Sequence, residues 1–269
     1  MQVRPMIEWA PEPQPSPSAA LSTSSALAQI TALLADGGVA VLSGAGLSTE
    51  SGIPDYRGAT GSLRRHTPMT YQEFVSSPVG RQRYWARSHL GWRTITGARP
   101  NAGHRAVAAL SDSGHLSGVI TQNVDGLHRA AGTSDAVELH GSLDRVICLD
   151  CGALSSRSRL DARLRGENPD FRAVSLEVNP DGDVSLDDAA VAGFRPVSCE
   201  ACGAGTLKPD VVFFGENVPK PRVQECYSLV DRSDGLLVLG SSLTVMSGLR
   251  FVRYAAKAGK RVAIINQGP

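Results

Sequence analysis

Apolar residues come in short continuous runs, and between the runs they recur with helical spacing. The runs are Gly38-Val-Ala-Val-Leu-Ser43, Gly118-Val-Ile-Thr121, Ala136-Val-Glu-Leu139, Gly235-Leu-Leu-Val-Leu239 and Arg261-Val-Ala-Ile-Ile-Asn266. Short runs of this kind, bounded by glycine or polar residues, fit strands buried on both faces. Residues 24–36 place Leu27, Ile30, Leu33 and Leu34 on one helical face, and Gly37-Gly38 ends that helix. Further helices are predicted at 101–111, capped by Asn101, and at 248–258. Strands alternating with helices predict an α/β fold, a Rossmann-like parallel sheet with helices on both faces.

Ligands of such a sheet collect beyond the carboxyl ends of its strands. Polar residues of this chain gather at those ends: Gly44, Ala45 and Gly46 after the first run, Gln122, Asn123 and Asp125 after the second, and His140 after the third. Gly240, Ser241 and Ser242 follow the fourth run and Asn266 closes the fifth. A binding site along this rim is expected.

Composition narrows the class. The 269 residues carry a formal net charge of +1, which gives nucleic acid no basic field to bind. No apolar stretch approaches a membrane span. Residues 1–24, rich in Pro, Ser and Ala, are expected to be a disordered tail. They lack the apolar core of a signal peptide and the arginines of a transit peptide. Five cysteines are too few and too unevenly spaced for a disulfide scaffold. Four of them form two C-x-x-C knuckles, Cys148 with Cys151 and Cys199 with Cys202, each followed by glycine. Two such knuckles fill a tetrahedral thiolate shell, which predicts a structural zinc ion in a reducing, cytoplasmic compartment. Cys226, in helical sequence, is expected in the core.

The first strand runs into GAGLSTESGIPDYRG at 44–58. A dinucleotide turn of the G-x-G-x-x-G kind has a third glycine where Thr49 stands here, and Pro54, Asp55 and Arg57 interrupt the helix that would follow. This stretch, TQNVDGLH (121–128), ELHG (138–141), the paired knuckles, LKPDVVFFGE (207–216), LGSSLTV (239–245) and INQGP (265–269) together resemble the sirtuins, NAD-dependent protein deacylases. The resemblance runs from about residue 25 to the last residue. RQRYWARSHLGW, LHGSLDRVICLDCG and NPDGDVSLDD are most similar to class II of that family, which includes a mitochondrial lipoamidase and ADP-ribosyltransferase.

The resemblance implies cleavage of NAD between nicotinamide and ribose, with transfer of the acyl group from a substrate protein's lysine to ADP-ribose. It implies that His140 is the general base and that Asn123 and Asp125 line the nicotinamide pocket. Histidine suits the task because its ordinary pKa lies near neutrality. Backbone amides of Gly44, Ala45 and Gly46 would approach the pyrophosphate, with Ser48 and Gln122 beside them. Arg57 would pair with phosphate and Asp55 with polar groups of the cofactor, while Tyr56, where Phe is commoner, covers the ribose. Gly240, Ser241, Ser242, Asn266, Gln267 and Gly268 would hold the adenosine side. Val211, Val212, Phe213, Phe214, Gly215 and Glu216 would pair with the substrate backbone as an added strand. The expected division is an NAD-binding domain over 25–141 and 208–269, with a helical insertion about 59–100, and a zinc module over 142–207. A monomer is expected.

Four other functions fit parts of the sequence. The same NAD cleavage serves ADP-ribose transfer onto protein, or removal of lipoyl and long-chain acyl groups. A catalytically silent NAD sensor is disfavoured by the joint presence of His140, Asn123 and Asp125, and a zinc-ribbon nucleic-acid binder by the charge. Tyr84-Trp-Ala-Arg87 has the Y-x-x-R form that class III sirtuins use for acidic acyl chains, although its surroundings resemble class II. The long insert 152–198 predicts a helix with Leu160 and Leu164 on one face and a turn at Asn179-Pro-Asp-Gly182. Val184, Leu186 and Phe194 are expected to anchor it while Asp and Asn side chains reach an acyl-lysine channel. The sequence stops at Pro269 where sirtuins usually continue over the adenine, so weakened cofactor binding is expected.

Overall fold

The computed structural model describes residues 23–57, 67–172, 179–186 and 188–267. The expected tail (except its last residues), the start of the helical insertion and Gly268 lie outside these.

The first helix, α1 (Thr23–Ala35), ends at Gly37 and Gly38, both at positive φ, and β1 (Val39–Ser43) follows. After α2 (Tyr71–Ser76) and α3 (Pro78–Gly97), the chain enters α4 (Ala102–Asp112). Asn101 caps α4 as expected, its side chain accepting from the amides of Gly103 and His104. Next come β2 (Leu116–Thr121), the single turn α5 (Leu127–Ala130) and β3 (Val137–Glu138). A smaller unit follows: β4 (Gly141–Cys148), β5 (Leu154–Ser156), α6 (Arg157–Glu167), α7 (Asp188–Val191) and β6 (Leu207–Val211). The chain then returns through α8 (Lys220–Asp231), β7 (Gly235–Leu239), α9 (Met246–Lys257) and β8 (Arg261–Ile265).

The large sheet has the order β3-β2-β1-β7-β8, and all its pairings are parallel. Its central strand explains the apolar run. Ala40 and Leu42 pack under Cys226 and Leu229 of α8 and Phe251 of α9, while Val39 and Val41 face Leu33 of α1 and Val107 of α4. A strand with a helix layer on each face has no solvent side on which to place polar residues. One expected core position fails: Leu27 is 56 % exposed. In α1, Leu33 alone is fully buried, with Ile30 and Leu34 half-buried beside it, so the apolar face is narrower than its sequence pattern.

The small sheet is antiparallel, in the order β5-β4-β6. The expected division between residues 207 and 208 falls inside β6, which pairs with β4. This unit is fastened to α3 by a buried cation. Arg157 is 1 % exposed, lies over the rings of Trp85 (5.4 Å) and Trp92 (5.1 Å), and donates to the Ser88 carbonyl at 3.0 Å. Asp161 balances its charge at 3.6 Å and also meets buried His89 at 2.7 Å.

Sequential neighbours β2 and β1 sit together, but β1 also pairs with β7, and the order reverses between them. Such a switch point opens a crevice at the strand ends. Here the chain leaving β1 forms a tight 3₁₀ turn, Ala45–Ser51, pressed against the end of β7. The amide of Gly44 donates to Leu239 O at 2.9 Å and that of Gly46 to Gly240 O at 2.8 Å. A Cβ on Gly46 would stand 2.9 Å from Gly240 O, and one on Gly240 2.3 Å from the Leu47 nitrogen.

This contact is testable with two matched substitutions. Gly240 and Gly259 both have positive φ, but a Cβ on Gly259 meets nothing within 4 Å. Gly259→Ala should cost about 1–2 kcal/mol from backbone strain alone. Gly240→Ala should cost roughly 2 kcal/mol more from the collision with backbone. Equal urea midpoints for the two variants would show that the turn does not need its close approach.

Candidate active site and metal centre

The strand ends of the large sheet, the 211–218 segment and the turn at 180–181 enclose a cavity of about 540 Å³. All the sequence-predicted cofactor and substrate residues within the described chain line it, from Gly44 to Gln267. Ile53, Met69, Tyr84, Asp181, Ser247 and Arg250 line it too, and of these only Tyr84 and Asp181 drew notice in the sequence.

The polar residues after β2 tie the rim together. Gln122 Nε2 donates to Ser241 Oγ at 2.9 Å, joining the end of β2 to that of β7 across β1. Asn123 Nδ2 donates to Gly44 O at 3.0 Å and to Ser48 Oγ at 3.1 Å. Ser48 in turn donates to Asp125 Oδ2 at 2.7 Å, and the other carboxylate oxygen of Asp125 accepts from the Leu127 amide at the start of α5. Asn123 and Asp125 thus hold the glycine turn in place while facing the cavity. The amides of Gly44 and Gly46, expected to point at a pyrophosphate, are spent on β7. The two glycines serve close approach instead of donation.

His140 follows β3 and its ring bridges two elements. Nδ1 lies 2.9 Å from Gln122 O, and Nε2 lies 2.8 Å from Ser247 Oγ at the start of α9. A carbonyl can only accept, so Nδ1 carries the proton and Nε2 presents a lone pair on the cavity side. Burial lowers the His140 pKa; the Gln122 carbonyl opposes this, and Arg222 and Arg250 add to it. Two more histidines lie below the rim, their rings 5.1 Å apart. Burial, aided by His104, pushes His128 down to about 4, and burial also lowers His104. His128 Nε2 is 2.8 Å from Ser43 Oγ, so this pair belongs to the packing under β1 and β2.

At the other side of the cavity, only Val211 of the 211–216 segment belongs to β6. The rest is an irregular arm held by the chain itself. Val212 donates to His140 O (2.8 Å), Tyr71 to Phe214 O (2.9 Å), and the Phe213 amide to Glu216 Oε2 (2.8 Å). Lys208, 3 % exposed, pairs with that same Glu216 oxygen at 3.1 Å and lies over the Phe213 ring at 4.7 Å. Tyr56 meets Phe214 edge-on at 5.9 Å. Tyr84 reaches the cavity, but Arg87 does not; Arg87 Nη2 donates to Leu186 O at 3.1 Å. The Y-x-x-R spacing therefore puts no guanidinium at the cavity wall.

The insert between the knuckles folds back to the cavity. Leu160 and Leu164 of α6 are buried, as are Val184 and Phe194, and Leu186 packs against the same cluster. The turn forms where expected, closed by Gly182 N to Asn179 O at 2.9 Å, and sets Pro180 and Asp181 in the cavity wall. Burial and neighbouring Asp183 raise the Asp181 pKa well above the carboxylate range.

The four knuckle thiols converge as the spacing predicted. Cys148 and Cys202 Sγ are 3.8 Å apart, as are Cys151 and Cys199, and all four lie within 4.8 Å of one another. A tetrahedron with Zn–S bonds of about 2.3 Å has edges of about 3.8 Å. The donor set fits zinc, and with four thiolates it leaves no position for a catalytic water. Gly205 completes the cradle, since a Cβ there would stand 2.3 Å from Cys148 Sγ.

Comparison with known proteins agrees with this geometry. The model of the Sir2 family matches residues 44–247. The NAD-dependent protein deacetylase 1 of Streptomyces coelicolor is 61 % identical over 267 residues, 99 % of this chain and 87 % of that protein. The protein of the same name from Mycobacterium avium is 54 % identical over 245 residues, covering 89 % of this chain and 85 % of its own. A solved Sir2 structure with a p53 peptide and NAD+ superposes with a TM-score of 0.70 at 28 % identity, covering 90 % of this chain and 87 % of that one.

If the thiols hold a structural metal, the purified protein should carry about one zinc per chain. Chelation should then lower its melting temperature and release the 142–207 unit to proteolysis. A metal-free sample with an unchanged melting curve would exclude this role.

Proposed function

The chain belongs to the Sir2 family and is an NAD-dependent protein deacylase, and we propose that His140 is its general base, with Asn123 and Asp125 lining the nicotinamide end of the cavity. The observation that carries this assignment is the tautomer of His140 fixed by Gln122 O, which leaves Nε2 as the proton acceptor at the cavity wall. When bound, NAD supplies an electrophilic ribose carbon and nicotinamide as leaving group. The chain supplies the rest. Arg57 and the Ala45 amide meet phosphate charge, and Ser241, Ser242, Asn266 and Gln267 hold the adenosine side. The arm at 211–216 presents main chain to the acyl-lysine of a protein substrate. His140 Nε2 then takes the proton that a ribose hydroxyl must lose, and the Gln122 carbonyl holds the resulting imidazolium by its Nδ1–H. Ser247 donates into the same lone pair, so a substrate hydroxyl must displace it before His140 can act.

Finer features follow from the same reading. Support for class II comes from Tyr56 and from the insert that places Pro180 and Asp181 in the cavity wall. Unpaired knuckle cysteines suit the reducing cytoplasm. A net charge of +1 gives no basis for nucleic-acid binding, and among the described residues no helix is long and apolar enough to cross a membrane. A monomer suffices, since one chain provides every residue invoked.

His140→Ala should reduce deacylation by about 10²-fold or more with zinc content unchanged. Because the base must be neutral and its pKa is lowered, the acid limb of kcat/KM should fall below the ordinary 6.5. Ser247→Ala removes a hydrogen bond made to the neutral ring, so it should move that limb to higher pH. A limb unmoved by Ser247→Ala, or deacylation within tenfold of normal (about 1.4 kcal/mol) in His140→Ala, would count against the assignment.

Replacing residues 174–190 by a short Gly-Ser link should reorder the rates on acyl-lysine peptides while zinc content stays the same. An unchanged ranking would reduce the insert to a packing element.

A further inference from the structure

The cavity ends, on the side of the 211–216 arm, at two polar groups that the mechanism leaves unused. Tyr84 of α3 is 3 % exposed and packs on Phe213 (ring centroids 5.1 Å) and Phe74 (5.4 Å), so it shares the wall from which the arm meets substrate. Its hydroxyl is buried and, among the described residues, has no partner at hydrogen-bond geometry. The Ser88 hydroxyl, one helical turn away, is near enough to lower the Tyr84 pKa but makes no such bond to it, and it receives Arg157 Nη2 at 3.4 Å. Asp181, on the turn of the insert, also lines the cavity, and its Oδ1 is likewise buried without a partner. The two side chains are close enough that Asp181 and Asp183 raise the Tyr84 pKa further beyond the effect of burial.

Resting on the deacylase reading, we propose that Tyr84 and Asp181 form a polar acyl subsite that selects neutral acyl groups bearing a hydroxyl over plain hydrocarbon chains and over acidic ones. Three arguments lead there. A plain chain would cover two buried polar groups and give neither a partner, which a site tolerates poorly. A chain ending in carboxylate would find no cation there, because Arg87, which the Y-x-x-R spacing suggests, is turned to Leu186 O. A hydroxyl both donates and accepts, and so can serve the phenol and the carboxyl together. Burial and the neighbouring Asp183 raise the Asp181 pKa, which favours the uncharged acid and with it an uncharged chain.

The test compares kcat/KM of the full chain, with NAD, on one peptide carrying acetyl-, butyryl-, 3-hydroxybutyryl- or succinyl-lysine. The 3-hydroxybutyryl peptide should exceed the butyryl one by about tenfold, and succinyl should fall below both. Tyr84→Phe and Asp181→Leu, which remove the polar atoms with little change of size, should bring the hydroxybutyryl-to-butyryl ratio to within about twofold of unity. Measuring a ratio cancels any general loss of activity in a variant. Acetyl turnover with butyryl equal to or faster than 3-hydroxybutyryl overturns the subsite and leaves the deacylase standing. A preference that survives both substitutions assigns it to other residues and also overturns the proposal. Failure to release nicotinamide with any peptide sinks the deacylase reading itself.

Discussion

The rim of the large sheet depends on how closely two backbones meet where β1 and β7 end. The amides of Gly44 and Gly46 bond to the last carbonyls of β7, and Gly240 leaves no space for a methyl group on either side. That contact fixes the position of the 3₁₀ turn, and the turn fixes Ser48, which Asn123 and Asp125 hold from the end of β2. Gln122 closes the same ring by reaching Ser241. Three strand ends are thereby locked to one another before any ligand arrives. Such preorganisation is what lets charge on a ligand be met without further rearrangement. Its cost is that the amides of Gly44 and Gly46 are already used.

The small unit is attached by a different kind of contact. Arg157 is a buried cation, and burying a charge is expensive unless it is paired and hydrogen-bonded. Trp85, Trp92, the Ser88 carbonyl and Asp161 supply what it needs, and Asp161 is held near 2 mainly by His89 and Arg165 against its own burial. All of these sit on α3 or α6. The network therefore sets the angle of the zinc unit on α3, and with it the reach of the insert that brings Asp181 to Tyr84. The four knuckle thiols form one cluster fit for zinc, while Arg157 ties the unit to α3.

Much of this was legible in the sequence because it is local. Strand ends carry their polar residues next to the apolar runs that define them, so Gly44, Gln122, Asn123, Asp125, His140, Ser241 and Asn266 could be read with the strands, whereas Asp55, Tyr56, Arg57 and the 211–216 arm are reached through the family resemblance. The C-x-x-C knuckles and the Asn101 cap are likewise short-range patterns. What could not be read depends on contacts far apart in the chain. Nothing near Ser247 shows that it meets His140, 107 residues away. Nothing in Tyr84-Trp-Ala-Arg87 shows that Leu186 takes the arginine, 99 residues on. Glycine spacing alone also could not say whether the amides face a ligand or another strand, and Leu27 looked buried because periodicity does not reveal how wide a helix's contact face is.

The two sides of the cavity differ electrostatically, and the difference matches the chemistry each must do. Around His140 the charged neighbours are Arg222 and Arg250, which with burial disfavour a second positive charge and keep the ring neutral. Around Tyr84 the neighbours are Asp181 and Asp183, and burial there favours the protonated acid. Burial thus lowers the histidine pKa on one side of the cavity and raises the carboxyl pKa on the other, and both shifts favour the uncharged form. The fold achieves the separation with three elements: α8 and α9 bring the arginines, and the insert brings the acids. The long loop between the zinc knuckles is thus part of the same electrostatic arrangement as the helices of the dinucleotide sheet.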